Sequence, residues 1–247
     1  MTLGDMNGQV VLVTGGAGGI GTGICSKVAQ AGARVILIGR RTDEELQAAA
    51  DALPGTGHWG TSVSVTDSAA LGVLAQKIEE RFGRLDVLVN NAAITKLIPH
   101  DDLHALNDDF IDELFRINWR GSFACVRALR RLLVAGEGGV IFNVSSAASK
   151  DGKGSNIAYC ASKAAINTMT LSLARALAPK VRVFALAPGF VDTGFVSSDP
   201  AWVASRSKAG VMDTAVPVEA LGEAVIALTT GMAYSTGCFV PVDGGRI

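Results

Sequence analysis

The sequence predicts a doubly wound α/β fold, a Rossmann-like parallel sheet of about seven strands with helices on both faces. Three observations predict it. Short, continuously apolar and β-branched runs recur from end to end; longer helical patterns separate them; and a glycine-rich stretch joins the first run to the first helix. Apolar strands alternating with helices of this kind form βαβ units around a sheet buried on both faces. Right-handed crossovers then distribute the helices to both sides.

The elements follow in order. Strands are expected at Gln9–Val13, Arg34–Ile38, Val87–Val89, Val140–Val144, Val181–Ala187 and Cys238–Val242, with a weaker one at His58–Val63. Helices are expected at Gly19–Ala31, Asp43–Leu53, Ser68–Phe82, Asp108–Ala135, Tyr159–Ala178 and Val218–Thr230. No Pro-, Ser- or Gly-rich linker, charge block or long repeat divides the 247 residues, so residues 1–247 are read as one domain. A chain of this size buries roughly three-quarters of its unfolded surface, enough for one substantial core.

Composition excludes several functions. Twenty-two basic and 23 acidic side chains leave a formal charge of −1, without the cationic footprint of a nucleic-acid binder. No basic amphipathic helix marks a membrane surface. Met1–Gly8 is short and polar, and the apolar run Val10–Val13 is too short for a leader or a span. A cytoplasmic location is expected. Four cysteines form no CxxC pair, so they read as buried hydrophobes in a reducing compartment. His100 and His104 flank Asp101 and Asp102, which reads as a polar loop with capping residues; no metal site is expected.

In such a sheet, ligands sit outside the carboxyl ends of the strands, near the point where strand order switches. The stretch Thr14-Gly15-Gly16-Ala17-Gly18-Gly19-Ile20-Gly21 follows the first strand and opens a helix. Glycines there let the backbone approach a pyrophosphate at the helix N-terminus. Gly16, Gly18 and Gly21 satisfy GxGxxG formally, while Thr14, Gly15, Gly19 and Gly21 satisfy TGxxxGxG. After Ile38, where an NAD-preferring site carries a carboxylate for the ribose 2′-hydroxyl, this chain has Gly39, Arg40 and Arg41. Guanidinium groups bind a 2′-phosphate in bidentate fashion. NADP(H) is therefore expected, with NAD(H) as the alternative.

Tyr159 and Lys163 lie four apart on a helical stretch, on one face. A tyrosine that titrates near pH ~10 needs a shift of about 3 units, roughly 4 kcal/mol, to act near neutrality. An ammonium about 4 Å away supplies on the order of 4 kcal/mol at an effective dielectric of ~20. Strand ends supply the companions: Asn143-Val144-Ser145-Ser146, Asn90-Asn91-Ala92-Ala93, and Pro188-Gly189 with Thr193 shortly after.

With these motifs in order, the sequence resembles the short-chain dehydrogenase/reductase family in its single-domain form, over nearly the whole chain. The ending Val242-Asp243-Gly244-Gly245 looks like the family's own. The resemblance implies a tetrad of Asn118, Ser146, Tyr159 and Lys163, with Ser146 rather than Ser145 because it stands thirteen residues before Tyr159. It implies that Tyr159 exchanges the proton, Ser146 holds the substrate oxygen, Lys163 binds the nicotinamide ribose, and Asn118 holds a water that leads to solvent. It further implies cofactor contacts at Thr14, Gly15, Gly19, Ile20, Gly21, Arg40, Arg41, Ser64, Val65, Asn91, Ala92, Pro188, Gly189, Val191 and Thr193. Three departures stand out. Ala93 replaces the glycine of NNAG, Ser64 stands where many relatives carry an acid, and the glycine loop lacks its basic residue.

The implied activity interconverts a ketone and a secondary alcohol by hydride transfer. A substrate lid is expected around residues 190–216, with Phe195, Trp202 and Met212 able to line it. Ser146, Ala148, Asn156, Tyr159 and Phe195 are the expected substrate residues, with Ile94 and Ala147 nearby. A free small ketone or alcohol is favoured over a 3-oxoacyl group on a carrier protein. An acidic carrier needs a basic rim, and Glu137 follows Arg127, Arg130 and Arg131. A non-catalytic NADP-binding sensor is the alternative of another class, and a complete tetrad speaks against it. Family members often associate through the two long helices, so a homotetramer is expected.

Overall fold

A computed structural model describes residues 4–208 and 210–246; residues 1–3, 209 and 247, parts of the expected domain and lid spans, lie outside them. Seven parallel strands form one sheet: β1 Val10–Thr14, β2 Arg34–Gly39, β3 Trp59–Ser62, β4 Val87–Asn90, β5 Gly139–Val144, β6 Val181–Pro188 and β7 Cys238–Val242. Their order is β3-β2-β1-β4-β5-β6-β7. The chain steps outward in one direction through β2 and β3, then crosses back to place β4 beside β1. A crevice therefore opens at the carboxyl ends of β1 and β4, where neighbouring connections leave on opposite faces.

The helices are α1 Gly19–Gln30, α2 Asp43–Asp51, α3 Ser68–Phe82, α4 Asp108–Phe115, α5 Ser122–Leu133, α6 Ala148–Asp151, α7 Ile157–Leu177, α8 Pro200–Ser207 and α9 Val218–Gly231. Alternation along each strand feeds two cores. Val10 and Leu12 of β1 pack with Ile36, Leu88, Ile141 and Val183 beneath Leu71 of α3, Leu129 of α5 and Met169 of α7. Val11 and Val13 face the other way, with Val35, Val89, Phe142 and Phe184, against Ile24 of α1 and Val225 of α9. Both faces are buried, so both residue parities must be apolar.

Three elements depart from expectation, one of them the short α6 at Ala148–Asp151, where no helix is expected. The single helix expected over Asp108–Ala135 is broken by a π-helical turn at Arg116–Gly121, and the lid segment contains α8, which sequence reading left as loop. The π turn inserts where the Asn118 side chain bonds to another segment, described below. Among the described residues, no helix is long and apolar enough to cross a membrane, and no group of three His, Cys, Asp or Glu could hold a metal.

Candidate active site

The crevice is built from the glycine loop upward. Gly15, at φ +66°, donates its N–H to the Ile38 carbonyl at 2.7 Å. A Cβ on Gly21 would stand 2.2 Å from the Gly15 carbonyl oxygen, so this glycine allows α1 to close on the loop. The α1 N-cap, Gly18, makes no side-chain cap bond, and the first turn holds no acid. That end of the helix is free to face an anion. Thr14 lies behind this surface: its hydroxyl accepts from the N–H groups of Asn91 and Ala92, both at 2.9 Å. The Asn91 amide donates in turn to the Thr14 carbonyl at 2.9 Å. These bonds lock β1 to the β4 loop across the switch point.

The cleft is lined by Gly15, Gly18, Gly19 and Ile20 on one side and by Ser64, Val65 and Thr66 on another. Asn91, Ala92, Pro188, Thr193 and Phe195 line it further along, and Arg40 stands at the end of β2. Arg41, Gly189 and Val191 do not line it. Arg41 is exposed; Gly189 donates its N–H to the Val242 carbonyl at 3.0 Å; and Val191 packs against the α1–α9 core. Sequence reading missed Ile117, Glu113 and Arg116, which form a wall facing the Ser64–Thr66 loop. Glu113 and Arg116 stand one turn apart, their charges separated by 3.9 Å. Their spacing was visible in the sequence, but the approach of that face to the cleft was not.

Tyr159 and Lys163 enter the same cleft from α7. Burial pushes the Tyr159 phenol up to about 12, while a hydrogen bond from the phenol's neighbour Ser146 pulls it back part of the way. Burial also lowers Lys163 to about 8. The Lys163 ammonium donates to the Val144 carbonyl at 2.7 Å and stands 5.7 Å from the centre of the tyrosine ring. The ammonium points at the end of β5, and desolvation dominates the shift of the phenol. Burial thus favours the neutral phenol over the phenolate.

Ser145 and Ser146 have separate partners. The Ser145 hydroxyl donates to the Asn167 side chain at 2.6 Å and approaches the Lys163 carbonyl at 3.1 Å, which commits it to α7. Ser146 accepts from the Ala148 N–H at 3.2 Å and keeps its hydroxyl beside the phenol. Asn118, in the π turn, accepts from the Ile94 N–H at 2.9 Å and donates to the Ile94 carbonyl at 3.1 Å. Its amide also reaches Ser162 at 3.3 Å. Of the residues expected on the substrate wall, Tyr159 and Phe195 line the cleft, while Ser146, Ala148 and Asn156 are not among its lining residues. Ala148 is buried under its own turn, and Asn156 is 1% exposed with its amide fully engaged.

A dinucleotide fits these residues. The glycine loop admits no Cβ at Gly21, the α1 terminus is uncapped by any side chain, and Arg40 and Arg116 supply positive charge along the wall.

Comparison with known proteins agrees with this geometry. The family model for short chain dehydrogenase matches residues 9–204. Galactitol 2-dehydrogenase of Agrobacterium fabrum is 36% identical over 191 residues, 76% of this chain and 72% of that protein. The 3-oxoacyl-(acyl-carrier-protein) reductase FabG of Escherichia coli is 32% identical, over 98% of both chains. A dehydrogenase/reductase from Sinorhizobium meliloti superposes with a TM-score of 0.88 at 28% identity, covering 99% of this chain and 97% of the other. The chain belongs to the short-chain dehydrogenase family and is a nicotinamide-dependent oxidoreductase acting on CH–OH and C=O groups.

Proposed function

We propose that the protein reduces a small, neutral ketone to a secondary alcohol, and runs the reverse oxidation, with NADP(H) as its cofactor. One observation carries the reading: the Tyr159 phenol lies in the cleft with Ser146 at its side and Lys163 one turn along. The bound nicotinamide would supply or accept the hydride; the protein supplies alignment and proton transfer. Ser146 orients the carbonyl oxygen, Tyr159 gives it the proton, and Lys163 holds positive charge beneath both. Asn118 keeps Ile94 and its loop in place on the substrate side. Glycine-loop backbone N–H groups and Thr193 orient the dinucleotide.

Two further features support the finer assignments. β2 ends in Gly39 with no carboxylate, and Arg40 lines the cleft beside it, which favours a 2′-phosphate. Ala93, Ile94, Gly194 and Phe195, toward the substrate end, are uncharged, which favours a neutral ketone over a substrate anchored by its own charge. Reduction of a carrier-bound 3-oxoacyl group is the second reading, favoured by the likeness to FabG over 98% of both chains. The relatives named above differ in substrate, so membership of the family leaves that choice to experiment.

Screening ketones and alcohols by nicotinamide absorbance, with both cofactors, tests the reading. Tyr159→Phe should lose about a thousandfold in kcat, within the range for a positioned proton donor, while retaining cofactor affinity. A variant that kept most of its turnover would defeat the mechanism. Arg40→Asp should shift the NADPH-to-NADH preference by roughly 10- to 100-fold toward NADH, the worth of a charge-assisted bond. An unchanged preference would remove Arg40 from the 2′-phosphate site. Faster turnover of acyl-carrier substrates than of any free ketone would replace the first substrate reading with the second.

A further inference from the structure

Tyr159 is the third residue of α7, and the first turn of a helix is where fraying begins. A proton donor placed there needs an anchor outside its own helix. The structure supplies one on the loop that follows β4. Asn156, the α7 N-cap, accepts the Tyr159 N–H on Oδ1 at 2.7 Å. Its Nδ2 donates to the Lys96 carbonyl at 2.8 Å and to the Thr95 hydroxyl at 3.2 Å. The Thr95 and Ser155 hydroxyls share a hydrogen bond of 2.5 Å. The Ile98 N–H closes the arrangement on the Ser155 carbonyl at 2.8 Å.

Capping alone does not require this residue. Ser, Asp and Asn cap helices about equally well through a side-chain acceptor. Asn differs in carrying two donors as well, and both are used here, on a segment some sixty residues away in sequence. The segment is held at its other end by Asn118, through both polar groups of the Ile94 backbone. Its position is thus fixed by the π turn on one side and by the start of α7 on the other. Asn156 is 1% exposed and Ser155 is 5% exposed, so loss of either leaves buried polar groups without partners.

We propose that Asn156, with Thr95 and Ser155, forms a clasp that sets the position of the Tyr159 phenol by tying the first turn of α7 to the loop after β4. Asn156 is then a positioning residue, touching neither substrate nor cofactor. The proposal rests on Tyr159 being the proton donor, and its test separates the two ideas.

Asn156→Ser keeps a capping oxygen and removes both donors. Thr95→Val keeps the shape and removes the hydroxyl. Each should lower kcat about tenfold, with KM and the NADPH dissociation constant within twofold of the parent. A misplacement of about 1 Å can cost a hundredfold, so tenfold corresponds to a partial displacement. Because both substitutions open one clasp, the double variant should lose little more than either alone. A second readout needs no substrate. The chain has two tyrosines, and Tyr234 is fully exposed. In a Tyr234→Phe background the remaining phenol can be titrated by its ultraviolet absorbance. Its midpoint should move down from about 12 toward the ordinary value near ~10 when the clasp opens and water reaches it. Parent-like kcat and an unmoved midpoint in both Asn156→Ser and Thr95→Val would overturn the proposal. A Tyr159→Phe protein that stays active would defeat the catalytic reading instead, and the phenol titration would still decide whether the clasp positions Tyr159.

Discussion

Lys163 keeps a charge where charge is disfavoured. Its side chain is buried, its Nζ has the Val144 carbonyl as partner, and its pKa falls to about 8. Unfolded, it titrates near ~10.4, so between about 8 and that value the unfolded chain binds more protons than the folded one. Stability from this group therefore rises with pH across that window, and its cost is fully present below it. Tyr159 has the opposite sign: raised to about 12, its contribution is present below the ordinary phenol value and is lost as pH climbs through its folded pKa. Lys163→Met should therefore stabilise the protein at pH 7. Two and a half units correspond to about 3 kcal/mol, offset by about 1–3 kcal/mol for the carbonyl left without a partner. A net gain of about 1 kcal/mol, or roughly 2–4 °C in Tm, should accompany loss of turnover. On the proposed mechanism, ketone reduction in the parent uses both the phenol proton and the ammonium. Its kcat/KM should stay level up to about pH 8 and then fall. A profile flat to pH 10 would show that the ammonium is dispensable.

The π turn between α4 and α5 shows what an element can owe to distant contacts. Asn118 occupies it and gives both ends of its amide to Ile94; the Ser122 hydroxyl donates to the Asn118 carbonyl at 2.9 Å inside the turn. π turns inside α-helices are frequent at functional sites. Asn118→Ala should cost about 2 kcal/mol, from two buried bonds at about 1 kcal/mol each, and lower turnover as the Ile94 loop loosens. Thermal melts and kcat measured together check this; an unchanged Tm would show that Ile94 is held by other contacts. The strands were legible because continuous apolar runs such as Val10–Val13 admit few other readings. The break at Asn118 was not, because its partner lies 24 residues away. Helix α8 escaped notice because it is only eight residues long and buries none of them fully. Tyr159 and Lys163 were legible from spacing. The direction of the ammonium was not, because helical spacing fixes a face and leaves the far end of a four-carbon stem free. Asn156 looked like a wall residue for a related reason: sequence gives its distance from Tyr159 but not the arrival of Thr95 above it.

At the scale of the whole molecule, two of the places where apolar side chains remain exposed predict the assembly. One face carries Phe123 of α5, stacked on Trp119 with ring centres 5.9 Å apart, and Val134 just beyond the helix. The other lies at the edge strand β7, where Met232 and fully exposed Tyr234 precede the strand. Leu171 of α7, 46% exposed, stands there too, within 3.7 Å of the space beside Gly237. An uncovered edge strand flanked by apolar groups is a surface that folded proteins pair or shield. Two self-complementary faces, each used about its own twofold axis, close a tetramer; one face alone gives a dimer. Light scattering should therefore report four times the 25.5 kDa chain mass. Phe123→Glu should open the first face and Leu171→Glu the second, each leaving dimers, because a carboxylate buried without a partner is costly at an interface. Together they should leave single chains. If the unaltered protein scatters as one chain, the two faces are ordinary exposed surface and the predicted assembly is wrong. If either single substitution yields single chains directly, the two faces belong to one interface and the parent is a dimer.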